Sequence, residues 1–320
     1  MVLSLMEERV RRIGIRFSML LLASIALGAC SSGEDELVDE PEPSVPSEEQ
    51  RVWPITISTV MENDGYKRVT DYAFEAGDAI GLYVVSRESD GTANPLQTQG
   101  NHVDNMRFAY NGVWTADTPV YWQDDVTHAD FYLYYPYRAT VGNVETMSFQ
   151  VNADQSKEEA YKASDLILGQ VQDVAPTESA VRIAARHMLS QMVITVVPGN
   201  GFTAESIAAA DVAVRINGVR TEASVNLAAA TVTAVGESGT VTPLSEDGRY
   251  KALIVPQTVS QGNLVTVTVD GREFNYPTSM TFESGQRYQV TVTLNKTSNG
   301  INVSIDPWED DGIDYGGVAE

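Results

Sequence analysis

The sequence is poor in the residues that form most active sites. Its 320 residues include a single cysteine, Cys30, and three histidines, His102, His128 and His187. One cysteine excludes an intrachain disulfide, and the scattered histidines lack the spacing of a zinc site. The chain also has none of the glycine-rich phosphate loops or nucleophile elbows that signal catalysis. We therefore expect no catalytic residues, no cofactor and no metal site, and an enzyme ranks third after a structural protein and a binding module.

Positive charge is scarce as well. Lysine and arginine together number 21 against 44 aspartates and glutamates, which gives a formal net charge of −23. A surface this acidic repels phosphate backbones, so we expect no nucleic-acid partner. The acidic stretch at residues 309–314 has the oxygen density of a calcium loop but not the spacing of an EF-hand. A solvated tail is the preferred interpretation of that stretch.

An N-terminal run of weakly polar to apolar residues is too short to cross a bilayer. It extends from Phe17 to Leu27 and follows four arginines, whereas a membrane helix needs roughly 20 apolar residues. It fits the apolar region of a secretory signal. The run leads into Leu27-Gly28-Ala29-Cys30, which resembles a bacterial lipobox. We expect residues 1–29 to be a lipoprotein signal peptide, with cleavage between Ala29 and Cys30 and a lipid on Cys30.

The stretch that follows, residues 30–50, is rich in Glu, Asp, Ser and Pro. Such a segment buries too little apolar surface to offset its ordering entropy, so it is predicted to be a disordered tether or propeptide. The acidic patch Glu34-Asp35-Glu36 is similar to the surface-export signal of Bacteroidota lipoproteins. We therefore expect the lipid-anchored protein to be exposed at the cell surface.

The remaining chain has the patterning of an all-β protein. Residues 264–269 and 288–294 alternate strictly between apolar and polar positions, and Asp270-Gly271 predicts a hairpin turn. Asn217-Gly218 predicts a second turn. Helix is confined to short stretches within residues 161–168 and 204–210. Strands at this spacing, with turns between them, favour Greek-key β-sandwich-like architecture.

The body is predicted to form two tandem β domains. Residues 172–178 interrupt the strand pattern, which places the boundary near residue 180 and gives domains at 51–180 and 181–320. A short internal echo is consistent with two related halves. Phe74-Glu75-Ala76-Gly77 and Phe282-Glu283-Ser284-Gly285 each precede a predicted strand.

Several short motifs recur in a fixed order, and each is weak by itself. Along the chain they are Phe74-x-x-Gly77-Asp78-x-Ile80-Gly81-Leu82-Tyr83, Asn111-Gly112-x-Trp114, Pro119-Val120-Tyr121-Trp122, residues 131–137, Asp154-Gln155-Ser156, Ser164-Asp165-Leu166, residues 187–192, residues 253–257, Phe282-x-x-Gly285-Gln286-x-Tyr288 and Ile305-x-x-Trp308. This ordered series resembles the fimbrillin family of Bacteroidota, the subunits of type V pili and their relatives. The resemblance covers nearly the whole chain after the lipobox.

The resemblance implies an outer-membrane lipoprotein that serves as a structural or adhesive component of fimbriae, with other fimbrial subunits as partners. In that family an arginine-specific protease removes an N-terminal strand, and the vacated groove accepts a strand from the next subunit. Arg51 is the best-placed candidate, with cleavage between Arg51 and Val52. Arg68 is the second candidate. Both positions are expectations carried over from the family.

Two features keep other interpretations open. The tail after Trp308 contains Gly312, Gly316 and Gly317 and few apolar residues, which makes it a poor donor strand. A tip, anchor or accessory subunit is therefore an alternative to a shaft subunit. The other alternative is a non-polymerising surface lipoprotein that binds glycans or host ligands through exposed, coplanar aromatic rings. The candidate rings for such binding are Trp114, Tyr121, Trp122 and Tyr135.

Overall fold

A computed structural model describes residues 52–62 and 74–295, together with the backbone of residues 299–307. The predicted signal peptide and tether, Arg51, Arg68 and the tail at 308–320 lie outside the described residues. In the described ranges, no helix is both long enough and apolar enough to cross a membrane.

The described part of the chain is built almost entirely from β-strands, which confirms the all-β prediction. Its two helices are short, α1 at Glu158–Ala163 and α2 at Ala204–Ala208. The strands are β1 Ile57–Met61, β2 Ala79–Ser86, β3 Val103–Tyr110, β4 Trp114–Ala116, β5 Ala129–Tyr135, β6 Met147–Gln150, β7 Ile167–Val174, β8 Val181–His187, β9 Ser190–Pro198, β10 Val212–Asn226, β11 Thr231–Val241, β12 Leu244–Glu246, β13 Arg249–Ile254, β14 Gln257–Val269, β15 Arg272–Phe282, β16 Gln286–Leu294 and β17 Asn299–Pro307.

The strands form three sheets. The first has the order β1-β8-β7-β5-β2-β3-β4, the second β11-β10-β14-β15 with β6 also on β10, and the third β12-β13-β9-β16-β17. Most neighbours are antiparallel, but β1 runs parallel to β8 and β9 runs parallel to β16. Parallel partners need long connections, so these two pairings join segments that are far apart in sequence.

Alternating apolar residues from the sheets fill three cores. The N-terminal core includes Ile80, Leu82, Val84, Phe108, Phe131 and Ile183. The central core includes Tyr83, Tyr134, Phe149, Leu166, Val225 and Leu253. The C-terminal core includes Met192, Ile216, Val265, Phe274 and Tyr288. The central core therefore draws side chains from both halves of the chain.

Residues 172–178, which suggested a domain boundary, span the end of β7 and the approach to β8. These two strands are antiparallel neighbours in the first sheet. Strand β6 lies before the predicted boundary but pairs with β10, which lies after it, from Met147↔Val225 to Gln150↔Glu222. The division into domains at 51–180 and 181–320 stays a prediction, to be weighed against this shared pairing.

The predicted turn at Asn217-Gly218 is wrong, because β10 continues through it. Gly218 has a φ of +73°, and the register against β11 shifts between Asn217 and Val219. The dipeptide therefore forms a β-bulge. The Asn217 amide donates to Oγ1 of Thr266 on one side at 3.0 Å and accepts from Oγ1 of Thr240 on the other at 3.2 Å. Pairing on both edges overrides the local turn preference.

The other two local expectations are met. Asp270 and Gly271 have φ values of 48° and 80° and connect β14 to β15, as a two-residue hairpin turn requires. The two segments of the internal echo adopt similar turns. The N–H of Asp78 donates to the carbonyl of Glu75, and the N–H of Gln286 donates to the carbonyl of Glu283. Each turn delivers the chain into a strand, β2 or β16.

Two fully buried tyrosines of the central core differ in how their hydroxyls are satisfied. Tyr134 donates to Oδ1 of Asn105 at 2.7 Å, and burial raises the pKa of its hydroxyl to about 12. The Tyr83 hydroxyl is buried with no hydrogen-bond partner among the described residues. A buried hydroxyl without a partner costs about 1–3 kcal/mol.

Tyr83→Phe is expected to raise the free energy of unfolding by about 1 kcal/mol, since it removes the unsatisfied hydroxyl. Tyr134→Phe is the matched control. It is expected to lower the free energy of unfolding by about 1–2 kcal/mol because the Asn105 oxygen loses its donor. Urea unfolding curves measure both values. Equal destabilisation by the two variants would contradict the assignment.

Candidate functional site

The N-terminal strand segment, residues 53–61, is hydrogen-bonded to two parts of the body. Its even-numbered residues bond β8, as in Val181 N–H to the carbonyl of Thr56 at 2.8 Å. Its first residues also bond the 120–122 stretch, where the Ile55 N–H donates to the carbonyl of Val120 and the Trp122 N–H donates to the carbonyl of Trp53, both at 2.9 Å. β1 itself pairs with β8 from Ile57↔Val181 to Met61↔Ala185. The segment is therefore inserted between two parts of the body.

The segment buries one face. Ile55 and Ile57 are 4% and 5% exposed and belong to the N-terminal core, whereas Val52, Thr56 and Val60 are exposed. Because side chains alternate across a strand, Trp53, Ile55, Ile57, Thr59 and Met61 share the inward face. Burying an isoleucine side chain stabilises the fold by roughly 1.5–3 kcal/mol. The surface of the N-terminal core that these five residues cover is called the groove below.

One polar contact joins the segment to the wall of the groove. The indole N–H of Trp114, on β4, donates to Oγ1 of Thr59 at 3.0 Å. Trp114 is only 7% exposed. Its ring lies 4.9 Å, between centroids, from the rings of both Phe74 and Tyr110. The body of the protein therefore holds the indole in place independently of the segment that accepts its hydrogen bond.

A cleft of about 210 Å³ opens beside Met61, at the C-terminal end of β1. Its aromatic lining includes Phe74 and Tyr135, and the Tyr135 hydroxyl donates to Oδ1 of Asp78 at 3.0 Å. Burial, followed by the charge of Asp78, raises the pKa of that hydroxyl. The tyrosine therefore remains a neutral hydrogen-bond donor.

Lys162 forms two ion pairs at the cleft. Lys162 reaches Oε2 of Glu75 at 2.8 Å and Oε1 of Glu158 at 2.9 Å. The hydrogen bond to Glu75, followed by that to Glu158, raises the pKa of the Lys162 ammonium. Asp165 lies 3.0 Å from Nδ1 of His187. Within the described ranges, no three His, Cys, Asp or Glu residues are grouped to hold a metal ion.

The histidines take part in local hydrogen bonds at separate places in the fold. Nε2 of His102 lies 2.7 Å from the carbonyl of Tyr121, and Nδ1 of His128 lies 2.8 Å from Oδ1 of Asp173. Each of the three histidines therefore has a hydrogen-bond partner in its own part of the fold. Cys30, Ala29, Arg51, Arg68 and residues 309–314 lie outside the described residues and stay predictions.

The aromatic residues considered for glycan binding are mostly inside the protein. Trp114 and Trp122 are buried and Tyr135 is half-buried, whereas Tyr121 is 50% exposed. Trp122 packs edge to face on Phe131 within the N-terminal core, with 5.5 Å between ring centroids. Burial of the rings favours the structural interpretation over a glycan platform.

The pair formed by Thr59 and Trp114 was not predicted from the sequence. The missed signal was a polar residue within the inward series Trp53, Ile55, Ile57, Thr59. The buried indole N–H of Trp114 requires an acceptor, and the structure shows that the acceptor lies 55 positions away.

Ile57→Ala is expected to lower the free energy of unfolding by about 2–5 kcal/mol, because it removes buried methyl groups and leaves a cavity. Thr56→Ala is the matched control, one residue away on the exposed face, with an expected change within about 0.5 kcal/mol. Chemical denaturation of the full chain gives both values. Similar losses for the two variants would show that the segment does not bury one face selectively.

Comparisons with known proteins give a consistent picture. A family model described as fimbrillin-like matches residues 68–308. A protein from Bacteroides uniformis described as the fimbrium subunit Fim1C is 28% identical over 305 residues, which cover 90% of this chain and 93% of the relative.

The fold also resembles solved structures. A crystal structure of a protein described as a cell adhesion protein from Bacteroides uniformis aligns with a TM-score of 0.62 and 21% identity, over 83% of this chain and all of the other. A second such protein, from Bacteroides ovatus, aligns with a TM-score of 0.66 and 16% identity, over 81% of this chain and 99% of the other. At these identities the structural matches establish the fold alone.

Proposed function

Because the chain belongs to the fimbrillin-like family, we propose that it is a fimbrial subunit that accepts a strand from another subunit in place of its own N-terminal strand. The observation that carries the proposal is the position of β1. It is the terminal strand of the first sheet, and its inward side chains cover an apolar groove. Edge strands with one apolar face are the usual sites at which an extended segment joins a sheet.

The first step of this mechanism is release of β1 from the body. A cut after Arg51 removes the tether but leaves β1 in the chain, because β1 begins at Ile57. Arg68 is the only arginine between Met61 and Ala79, and a cut after it separates β1 from the chain that forms β2 onward. We therefore assign release of the strand to Arg68. Cleavage after Arg51 stays a prediction for removal of the tether.

The second step is replacement of the released strand. Departure of residues 53–61 would leave the backbone of β8 without a partner on that edge and would expose the apolar side chains of the groove. An incoming strand restores both through main-chain hydrogen bonds and alternate inward side chains. The glycines at 312, 316 and 317 make the tail of this chain a weak donor. The proposed partner is therefore another fimbrial subunit with a stronger donor strand.

The site of action proposed for the subunit is the outer membrane and the surface structures built on it. The lipobox-like Leu27-Gly28-Ala29-Cys30 supports lipid attachment at Cys30, and the acidic tether at residues 30–50 supports surface exposure. One acyl chain binds a membrane only marginally, whereas two or more give stable anchoring. A diacylglyceryl group on Cys30 would therefore hold the unprocessed subunit at the membrane until the chain is cut.

Replacing Arg68 tests the release step. On treatment of the full chain with an arginine-specific protease, in the presence of a fimbrial subunit that has a stronger donor strand, a new N-terminus at Val69 and SDS-resistant ladders of the two subunits are expected. Arg68→Ala is expected to abolish both, whereas the matched control Arg51→Ala is expected to retain them. N-terminal sequencing and intact mass identify the cut. Ladders that vanish with Arg51→Ala and persist with Arg68→Ala would overturn this assignment.

Replacing Cys30 tests the anchor separately. Cys30→Ser is expected to abolish incorporation of labelled palmitate and to move the protein out of the membrane fraction, since serine lacks the thiol that carries the lipid. Ser31→Ala, at the adjacent position, is the control and is expected to leave both properties unchanged. Labelling that survives in Cys30→Ser would remove the lipoprotein proposal.

A further inference from the structure

The inward face of the N-terminal strand segment is not uniformly apolar. Trp53, Ile55, Ile57 and Met61 fit a hydrophobic groove, but the fourth inward position is Thr59. The contact made there is specific, since Oγ1 of Thr59 accepts the indole N–H of Trp114 at 3.0 Å. A strand does not need a hydroxyl to pack in an apolar groove. The hydroxyl at this position therefore serves the hydrogen bond to Trp114.

The need for a hydrogen-bond acceptor comes from the groove, so it remains when another strand replaces β1. Trp114 lies on β4, is 7% exposed and is enclosed by Phe74 and Tyr110. Its indole nitrogen is a donor only and cannot act as an acceptor. If β1 departs, Trp114 keeps its place in the ring cluster but loses its acceptor. Any strand that then enters the groove covers this donor and either supplies an acceptor or leaves it unsatisfied.

We infer that Trp114 selects the incoming strand, admitting strands that carry a short hydrogen-bond acceptor, such as threonine or serine, at the position now held by Thr59. This inference rests on the proposed strand replacement and specifies the chemistry of the partner. The partner strand has large apolar residues at the inward positions equivalent to Trp53, Ile55 and Ile57. At the next inward position it has a hydroxyl.

The change in affinity on replacing threonine by valine has opposite signs for this inference and for a groove that recognises apolar surface alone. Valine has nearly the shape of threonine, is more apolar and has strong β propensity. In a groove that recognises apolar surface alone, valine at this position would bind at least as tightly as threonine. A buried donor left without an acceptor costs enough to weaken binding by about tenfold. Valine is therefore expected to bind less tightly than threonine.

The test uses synthetic peptides that copy residues 52–62 and the full chain cut with an arginine-specific protease. The peptides carry the native sequence, Thr59→Val, Thr59→Ser or, as the matched control, Thr56→Val on the exposed face. Displacement of the native strand is followed by native mass spectrometry. The Thr59→Val peptide is expected to be about tenfold weaker than the native peptide, and the serine and Thr56→Val peptides within about threefold of it.

The outcomes distinguish the inference from the proposed function. If native and Thr59→Val peptides bind equally, selection by Trp114 is overturned while strand replacement stands. If no peptide displaces the strand, strand replacement is overturned and the inference with it.

A double-mutant cycle tests the hydrogen bond in the uncut chain. Thr59→Val is expected to shift the unfolding equilibrium about tenfold when Trp114 is present. In a Trp114→Phe background it is expected to have no such effect. Additive effects would overturn the inference.

Discussion

The fold of the N-terminal core depends on burial of one face of residues 53–61. This segment hydrogen-bonds β8 along β1, and its first residues, Trp53 and Ile55, hydrogen-bond the 120–122 stretch. Alternation along the strand directs Ile55, Ile57 and Thr59 onto the core. Displacing the strand would therefore break two sets of main-chain hydrogen bonds and expose apolar surface at once. A segment with the same alternation of inward apolar residues would restore both the hydrogen bonds and the burial.

The rest of the molecule is built so that this strand is peripheral to it. Neither the central nor the C-terminal core contains a residue from 52–62. The long strand β10 links the central and C-terminal cores, because it pairs with β14 near Val212 and with β6 near Val225. The bulge at Gly218 lies between these two pairings. Two of the three cores are therefore packed from residues outside the N-terminal segment.

Local sequence pattern predicted the elements whose partners are close in sequence. The hairpin of β14 and β15 follows from strict alternation around Asp270-Gly271, and both halves of it lie within 30 residues. Asn217-Gly218 carries an equally strong turn signal and was misread, because the decisive contacts come from Thr240 and Thr266 on neighbouring strands. A dipeptide preference does not report such tertiary constraints.

The candidate site was harder to predict for the same reason. The partner of β1 is β8, which begins at Val181 and runs parallel to it. Pairing between strands so far apart in sequence produces no pattern in the residues of either strand. The indole at Trp114 was considered as a ligand platform, since an aromatic side chain does not reveal from sequence whether it is exposed. The structure places it inside, where its N–H needs an acceptor.

The covalent connection between β1 and the body explains how such a strand could be both stable and replaceable. While the chain is intact, β1 would compete as an intramolecular ligand, with an effective concentration set by its covalent connection to the body. A free donor strand at lower concentration then loses the competition even with equal contacts. A cut between β1 and β2 removes this advantage without altering any contact in the groove. After such a cut, the outcome would be set by the side chains of the two strands, so the proposed requirement at one inward position would be decisive only then.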